Sequence, residues 1–327
     1  MSNRPNRGIS ISKTGGPEVL ALGDLEEPRP GPSEVVVEIA GAGVNFIDTY
    51  HRIGLYPMEM PFTPGLEGAG TISAVGGDVE DFAVGDRVAW SSSIGSYAER
   101  KTAEPDKLVR VPGGVPLETA AAVMLQGLTA HYLTTDTFPL ASGQRVLVHA
   151  GAGGVGLLLT QIAKLKGAEV FATVGSEEKA DLARSAGADH VILYRDVDFA
   201  AAVTDIAGHR PIDVVYDGVG KTTFEKGIGL LRTRGMMVTF GNASGPVDPV
   251  SPLDLMRNGS IFLTRPTLFD YVATPAELRA RAADLFAWIE AGDLDVRIGA
   301  RYPMSEAPAA HTALESRQTT GKVLLVP

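Results

Sequence analysis

Three glycines, Gly151, Gly153 and Gly156, follow an apolar run at residues 145–149 and precede a helical pattern that starts near Val155. Glycines in this G-x-G-x-x-G spacing allow a tight turn, a close approach of pyrophosphate to the backbone, and packing of helix on strand. Gly154 and Val155 complete the turn, whose N–H groups and helix dipole would face phosphates. The chemistry this implies is dinucleotide binding. The end of the next apolar run, at 169–174, selects the dinucleotide. An acid there bonds a ribose 2′-hydroxyl, whereas a missing acid with a nearby cation admits a 2′-phosphate. Here the position holds Gly175, followed by Ser176, which can donate a hydrogen bond, and by Lys179 one helical turn on. That pattern favours NADP(H). Glu177 and Glu178 keep an NAD reading open, although first-turn carboxylates also stabilise a helix dipole without any ligand. Lys179 reads equally well as a solvated helix lysine.

The elements that must position these residues alternate. Apolar runs at 145–149, 169–174, 190–193, 213–216 and 236–240 are separated by helical patterns, including 155–166 and 177–185. Such β-α-β alternation predicts a doubly wound parallel sheet, an α/β Rossmann domain. Residues 1–128 instead carry short apolar runs between Pro/Gly-rich turns, which predicts a β-rich domain. A helix is expected at 275–291 and a last strand at 322–326, the latter returning to the β-rich domain. The expected domains are therefore 1–128 with 268–327, and 129–267.

Composition narrows the function classes. The 327-residue chain is long enough for two cored domains, and its 44% hydrophobic content is that of an ordinary globular protein. A net charge of −10 opposes general affinity for nucleic acid or anionic membranes. No apolar run reaches bilayer length and residues 1–8 lack a signal-peptide core, so a cytoplasmic location is expected. With no cysteine, disulfides, thiolate metal sites and cysteine nucleophiles are excluded. The six histidines show no metal-ligand spacing.

The chain resembles the zinc-free quinone oxidoreductases of the medium-chain dehydrogenase/reductase superfamily, the zeta-crystallin-like group. The resemblance runs over Gly15-Gly-Pro-Glu-Val-Leu20, Gly43-Val-Asn-Phe-Ile-Asp-Thr-Tyr50, Gly54-Leu-Tyr-Pro57, Gly85-Asp-Arg-Val88 and Leu125-Gln-Gly-Leu-Thr129. It continues through the glycine turn, Tyr216-Asp-Gly-Val-Gly220, Phe240-Gly-Asn-Ala-Ser-Gly245, Thr264-Arg-Pro-Thr-Leu268 and Leu314-Glu-Ser-Arg317. It implies the α/β fold above with a discontinuous GroES-like substrate domain. Zinc-dependent relatives take their metal through cysteine and a Gly-His-Glu segment; here Gly65-Leu-Glu places Leu66 at the histidine. No metal is expected, and without a Lewis acid alcohol oxidation loses its activating group. A quinone needs less help, being already a strong electron acceptor.

By this resemblance Asn45, Phe46 and Asp48 touch the cofactor, and Asn45, Tyr50 and Tyr56 line the substrate site. Asn45 could bond a nicotinamide-ribose hydroxyl or a quinone carbonyl. Asn45 and Asp48 also suit loop capping, and the tyrosines suit partial core packing. Thr129 is expected to begin a helix near the carboxamide, with Tyr132 a turn later. Tyr194 would join Ser176 and Lys179 at the 2′-phosphate. Val219, Phe240, Gly241, Asn242 and Ala243 would border the cofactor, Pro266, Thr267 and Leu268 would close over the nicotinamide, and Arg317 would contact it from near the C-terminus. The implied activity is NADPH-dependent quinone reduction by hydride transfer in an interdomain cleft, by a homodimer pairing through the β-prone run from Ser260 to Thr264. Reduction of 2-alkenals or enones, and non-catalytic NADPH binding of a crystallin or RNA-binding kind, are the alternatives.

Overall fold

The computed structural model describes residues 5–327, which divide into two compact units. One is Met1–Leu128, described from Pro5, with Val272–Pro327; the other is Thr129–Tyr271.

Thr129–Tyr271 carries six strands in one sheet: Arg145–Val148, Glu169–Val174, His190–Leu193, Ile212–Asp217, Leu231–Thr239 and Phe262–Thr264. Side by side they run third, second, first, fourth, fifth, sixth, all parallel. The order reverses between the first and fourth strands, and a crevice opens at the carboxyl ends of strands that diverge this way. Val146, Leu147 and Val148 are buried, as a central parallel strand covered on both faces requires. Helices Gly154–Leu165, Glu177–Ser185, Phe199–Ala207 and Phe224–Leu230 follow the first four strands. Leu147, Phe171, Ile192, Val215 and Met237 pack with Phe199 and Phe224 in the core.

Several boundaries differ from the sequence pattern. The first strand stops at Val148 and the following helix begins at Gly154. The fifth strand begins at Leu231, with a register shift opposite Ile212 and Val214. From the β-prone run at 260–264 only Phe262–Thr264 is strand, because Ser260 takes a left-handed φ of 55° and turns the chain.

The other unit is built on a seven-stranded sheet. Six strands lie in the order Ile298–Pro303, Lys322–Val326, Val35–Val44, Glu67–Val75, Arg87–Trp90 and Val109–Arg110, and Arg100–Ala103 also pairs with Val35–Val44. Lys322–Val326 lies antiparallel to Val35–Val44, with Val323 opposite Val44 and Leu324 opposite Gly43. That register sets the last strand's first residue beside the end of the third strand's run, where the chain turns into helix Phe46–Ile53. Helix Pro275–Ala291 starts on a capping box in which Thr274 and Glu277 exchange hydrogen bonds, and it ends on left-handed Gly292.

Candidate active site

Helix Gly154–Leu165 has Gly153 as its N-cap, with no side chain capping it. Its first-turn N–H groups have no intrahelical acceptor and are left to an anion. The glycines here are sterically required: a Cβ on Gly156 would stand 2.3 Å from the Ala150 carbonyl oxygen, and one on Gly151 2.8 Å from Ala172 Cβ. Gly153, Gly154 and Val155 are half-buried at the turn.

The second strand ends at Val174, so Gly175 lies just beyond its carboxyl end. Ser176 is the N-cap of the next helix, its hydroxyl accepting from the Lys179 N–H at 3.4 Å. A Cβ on Gly175 would come 2.9 Å from the Tyr194 hydroxyl and 3.3 Å from Arg195 Nε. The structure thus brings Gly175, Ser176 and Tyr194 together and adds Arg195, which sequence reasoning missed. Arg195 is exposed and has no carboxylate partner among the described residues. A tyrosine hydroxyl and a guanidinium around a glycine fit a phosphate.

Val219 follows the fourth strand, and Phe240, Gly241, Asn242 and Ala243 follow the fifth, so all lie at the carboxyl edge. With its amide oxygen turned toward Arg265, Asn242 accepts from Nη2 at 3.2 Å, so Arg265 is a second cation the sequence did not single out. Pro266 is half-buried, Thr267 exposed, and Leu268 buried at the start of helix Leu268–Tyr271. Thr129 does not begin a helix: it lies near the end of helix Leu117–Tyr132. Tyr132 is buried and stacked on Tyr271, with ring centroids 4.1 Å apart and planes at 10°.

In the other unit, Asn45 is the N-cap of helix Phe46–Ile53 and is 4% exposed. Its backbone N–H donates to Asp48 Oδ2 at 2.9 Å, so Asp48 caps its own helix. The Asn45 carboxamide donates to Glu67 Oε2 at 2.8 Å and to the Gly43 carbonyl at 3.2 Å, and its Oδ1 accepts from Lys322 Nζ at 2.8 Å. Lys322 also pairs with Glu67, and both are buried. Glu67 Oε1 accepts the Leu125 N–H at 2.7 Å. Gly43 makes room for this pair: a Cβ there would fall 2.2 Å from Glu67 Oε2.

Behind Asp48 runs a buried chain of hydrogen bonds. Tyr97 donates to Asp48 Oδ2 at 3.0 Å and lies 3.1 Å from His311 Nε2; His311 Nδ1 lies 3.0 Å from Arg52 Nη1. Arginine can only donate, so Nδ1 accepts and the His311 proton sits on Nε2, directed at the Tyr97 oxygen. Arg52 closes the chain on Glu315 at 2.7 Å. Burial pushes the Asp48 carboxyl up to about 7, against the pull of Asn45, Tyr97 and Lys322. Burial, helped by Arg52, takes His311 down to about 3. Burial lowers Lys322, with Glu67 and Asp48 opposing.

Phe46, Tyr50 and Tyr56 form an aromatic surface. Tyr50 and Tyr56 meet edge to face at 5.4 Å, and Phe46 lies 6.4 Å from Tyr50. Tyr56 is 38% exposed, beside exposed Ile53 and Leu55. Leu66 is buried, and among the described residues no three His, Asp or Glu side chains are grouped to hold a metal. Arg317 is exposed and left-handed, φ 58°, just past helix Ala307–Glu315.

A family model described as zinc-binding dehydrogenase matches residues 154–287, and one described as alcohol dehydrogenase GroES-like domain matches residues 31–140. Fold and site define a medium-chain dehydrogenase/reductase. The chain is 46% identical to a quinone oxidoreductase of Pseudomonas aeruginosa, over 98% of this chain and 99% of that one. It is 40% identical to a 2-haloacrylate reductase of a Burkholderia species, over 97% and 98%. The solved structure of Escherichia coli quinone oxidoreductase complexed with NADPH matches with a TM-score of 0.96 and 41% identity, over 98% of this chain and 100% of that one. Within the superfamily, the chain belongs to the quinone oxidoreductase family.

Proposed function

We propose that this chain is an NADPH:quinone oxidoreductase. The observation that carries the reading is the match along nearly the whole chain to a quinone oxidoreductase solved with NADPH. The glycine turn at Gly151, Gly153 and Gly156 holds the pyrophosphate on the helix N-terminus, and Gly175, Ser176, Lys179, Tyr194 and Arg195 take the 2′-phosphate. Bound NADPH supplies a hydride from its nicotinamide. The quinone gains that hydride and one proton to become a hydroquinone, and water can deliver the proton. Tyr50 and Tyr56 offer the quinone an aromatic face, which orients a flat acceptor without any metal. Asn45 and Asp48 hold the start of the helix that carries them.

The reading includes a homodimer. Phe262 on the edge strand is 55% exposed, and Leu253 and Met256 on the preceding helix are 54% and 59% exposed. An unpaired edge with apolar neighbours suits pairing with a second copy. No helix among the described residues is long and apolar enough to cross a membrane. The reading includes a cytoplasmic location.

Similarity to the 2-haloacrylate reductase favours a second reading, reduction of an activated alkene. Oxidation of NADPH and NADH is to be followed with a panel of quinones, 2-haloacrylate and 2-alkenals. Quinone turnover with NADPH well above NADH is expected. Alkene turnover exceeding quinone turnover would select the second reading, and tight NADPH binding with no turnover would make the chain a binding protein.

A further inference from the structure

The glycine turn bends at a residue that is not glycine. Ala150 has a φ of 55°, in the left-handed region where a Cβ crowds the backbone and glycine rests without strain. Its two chain neighbours are both held by Thr173 of the adjacent parallel strand. Gly151 donates its N–H to the Thr173 carbonyl at 3.0 Å, and His149 Nδ1 lies 2.9 Å from the Thr173 hydroxyl. The His149 backbone N–H donates to the Tyr216 carbonyl at 3.1 Å, on the strand at the other side. The Ala150 carbonyl accepts from the Gly153 N–H at 2.9 Å and lies under the first turn of helix Gly154–Leu165, where a Cβ on Gly156 would meet it at 2.3 Å. The N–H groups of Gly151 and Gly153 are thus used inside the turn. Those of Gly154, Val155 and Gly156, in the first turn of the helix, have no backbone acceptor among the described residues.

As a filler of space, His149 is a poor choice for this place. It is 2% exposed, its Nε2 has no hydrogen-bond partner, and Phe199 meets its ring edge to face at 4.9 Å. A leucine would leave no polar atom buried and unpaired. Among the described residues the ring's one hydrogen bond is the bond to Thr173. We propose that His149 and Thr173 are positioning residues for the cofactor: the side-chain bond and the Gly151 bond close on Ala150 from both sides, hold it left-handed, and so aim the N–H groups that receive the pyrophosphate. The inference deepens the reading above, in which the glycine turn takes that group. Both side chains act at one remove, through the backbone of the turn. A pyrophosphate is common to NADPH and NADH, so this clamp serves the two alike, unlike the residues around Gly175.

The test measures NADPH and NADH affinity by nicotinamide fluorescence, on variants whose folding is checked by thermal melting. Thr173→Val keeps the side chain's shape without its hydroxyl and is expected to weaken both cofactors about fivefold, the effect of one buried hydrogen bond. His149→Leu should do the same, and the double variant should be no worse than either, because all three lose one and the same bond. Thr173→Ser keeps the hydroxyl and should stay within about twofold of the wild type. The deciding change is Ala150→Gly, since glycine takes the left-handed conformation without help. Added to Thr173→Val or to His149→Leu, it should bring both affinities back to within about twofold of Ala150→Gly alone. A loss that Ala150→Gly does not relieve would make the two side chains ordinary core and overturn the proposal. So would Thr173→Val with wild-type affinity for both cofactors, or a loss confined to NADPH. If His149→Leu does not fold, Thr173→Val with and without Ala150→Gly decides alone. A wild-type chain that binds neither cofactor would remove the reading of the turn as well, whereas a failure confined to the variants leaves that reading standing.

Discussion

At the scale of single residues, the proposed 2′-phosphate site makes cofactor choice turn on what surrounds Gly175. The approach of the Tyr194 hydroxyl and Arg195 Nε to that position gives a phosphate a donor and a cation. Arg195→Ala and Lys179→Ala are each expected to raise KM for NADPH about tenfold or more and to leave KM for NADH within about twofold, on the usual worth of a charged hydrogen bond. Steady-state kinetics with both cofactors decides it, and equal losses would remove the residue from the phosphate. Asp48 gives a different prediction. Burial holds its folded carboxyl at about 7 against an ordinary value of 3.8, so the folded state prefers it protonated. Its contribution to stability is fully present below about 4 and is lost as pH rises through about 7. Asp48→Asn, permanently neutral, should therefore gain Tm relative to the wild type between pH 4 and 8; thermal melts showing a constant or shrinking difference would contradict this. The glycine turn was legible in the sequence because its geometry is local. Lys322 was not, because its partner Asn45 lies 277 positions away and only the antiparallel pairing of two strands brings them together.

At the scale of elements, two helices are tied through side chains rather than through apolar packing alone. Helix Phe46–Ile53 contributes Asp48 and Arg52, helix Ala307–Glu315 contributes His311 and Glu315, and Tyr97 stands between them. Tyr97→Phe keeps the ring and deletes the hydroxyl, leaving the Asp48 and His311 groups each short of a partner. A loss of about 1–3 kcal/mol in chemical denaturation is expected, larger than a surface hydroxyl would cost. A change under about 0.5 kcal/mol would show that the chain bears no weight. Element boundaries were legible where caps are local, as at Thr274 and Gly292. They were not at helix Leu117–Tyr132, which the sequence pattern starts at Thr129, after Gln126-Gly-Leu128. In the structure Gly127 sits inside the helix, where a Cβ would meet Val123 at 2.7 Å and Leu285 at 3.1 Å.

At the scale of the whole molecule, the proposed homodimer makes a demand on its surface. The edge strand is three residues long, too short to specify a partner by backbone pairing alone, so in the proposed dimer exposed Leu253, Met256 and Phe262 would supply the apolar contact. Sedimentation at micromolar concentration should give a dimer mass for the wild type. Phe262→Asp should shift it toward the monomer while NADPH still binds; a wild-type monomer, or a variant that remains dimeric, removes this surface from consideration. The β-α-β alternation made the parallel sheet legible from sequence, and the apolar final segment signalled a return to the β-rich part. The strand order and the antiparallel seat of that last strand required the structure.

The missing side chain at Gly43 has a consequence for mutational tolerance. A single added methyl would land on the Glu67 carboxylate and on Lys322 Cε, at 2.2 and 2.5 Å. In a saturation library, position 43 should therefore reject even alanine, as strictly as a residue that contacts ligand. A reader of such a map would take it for a binding residue, although what it accommodates is two side chains of its own protein.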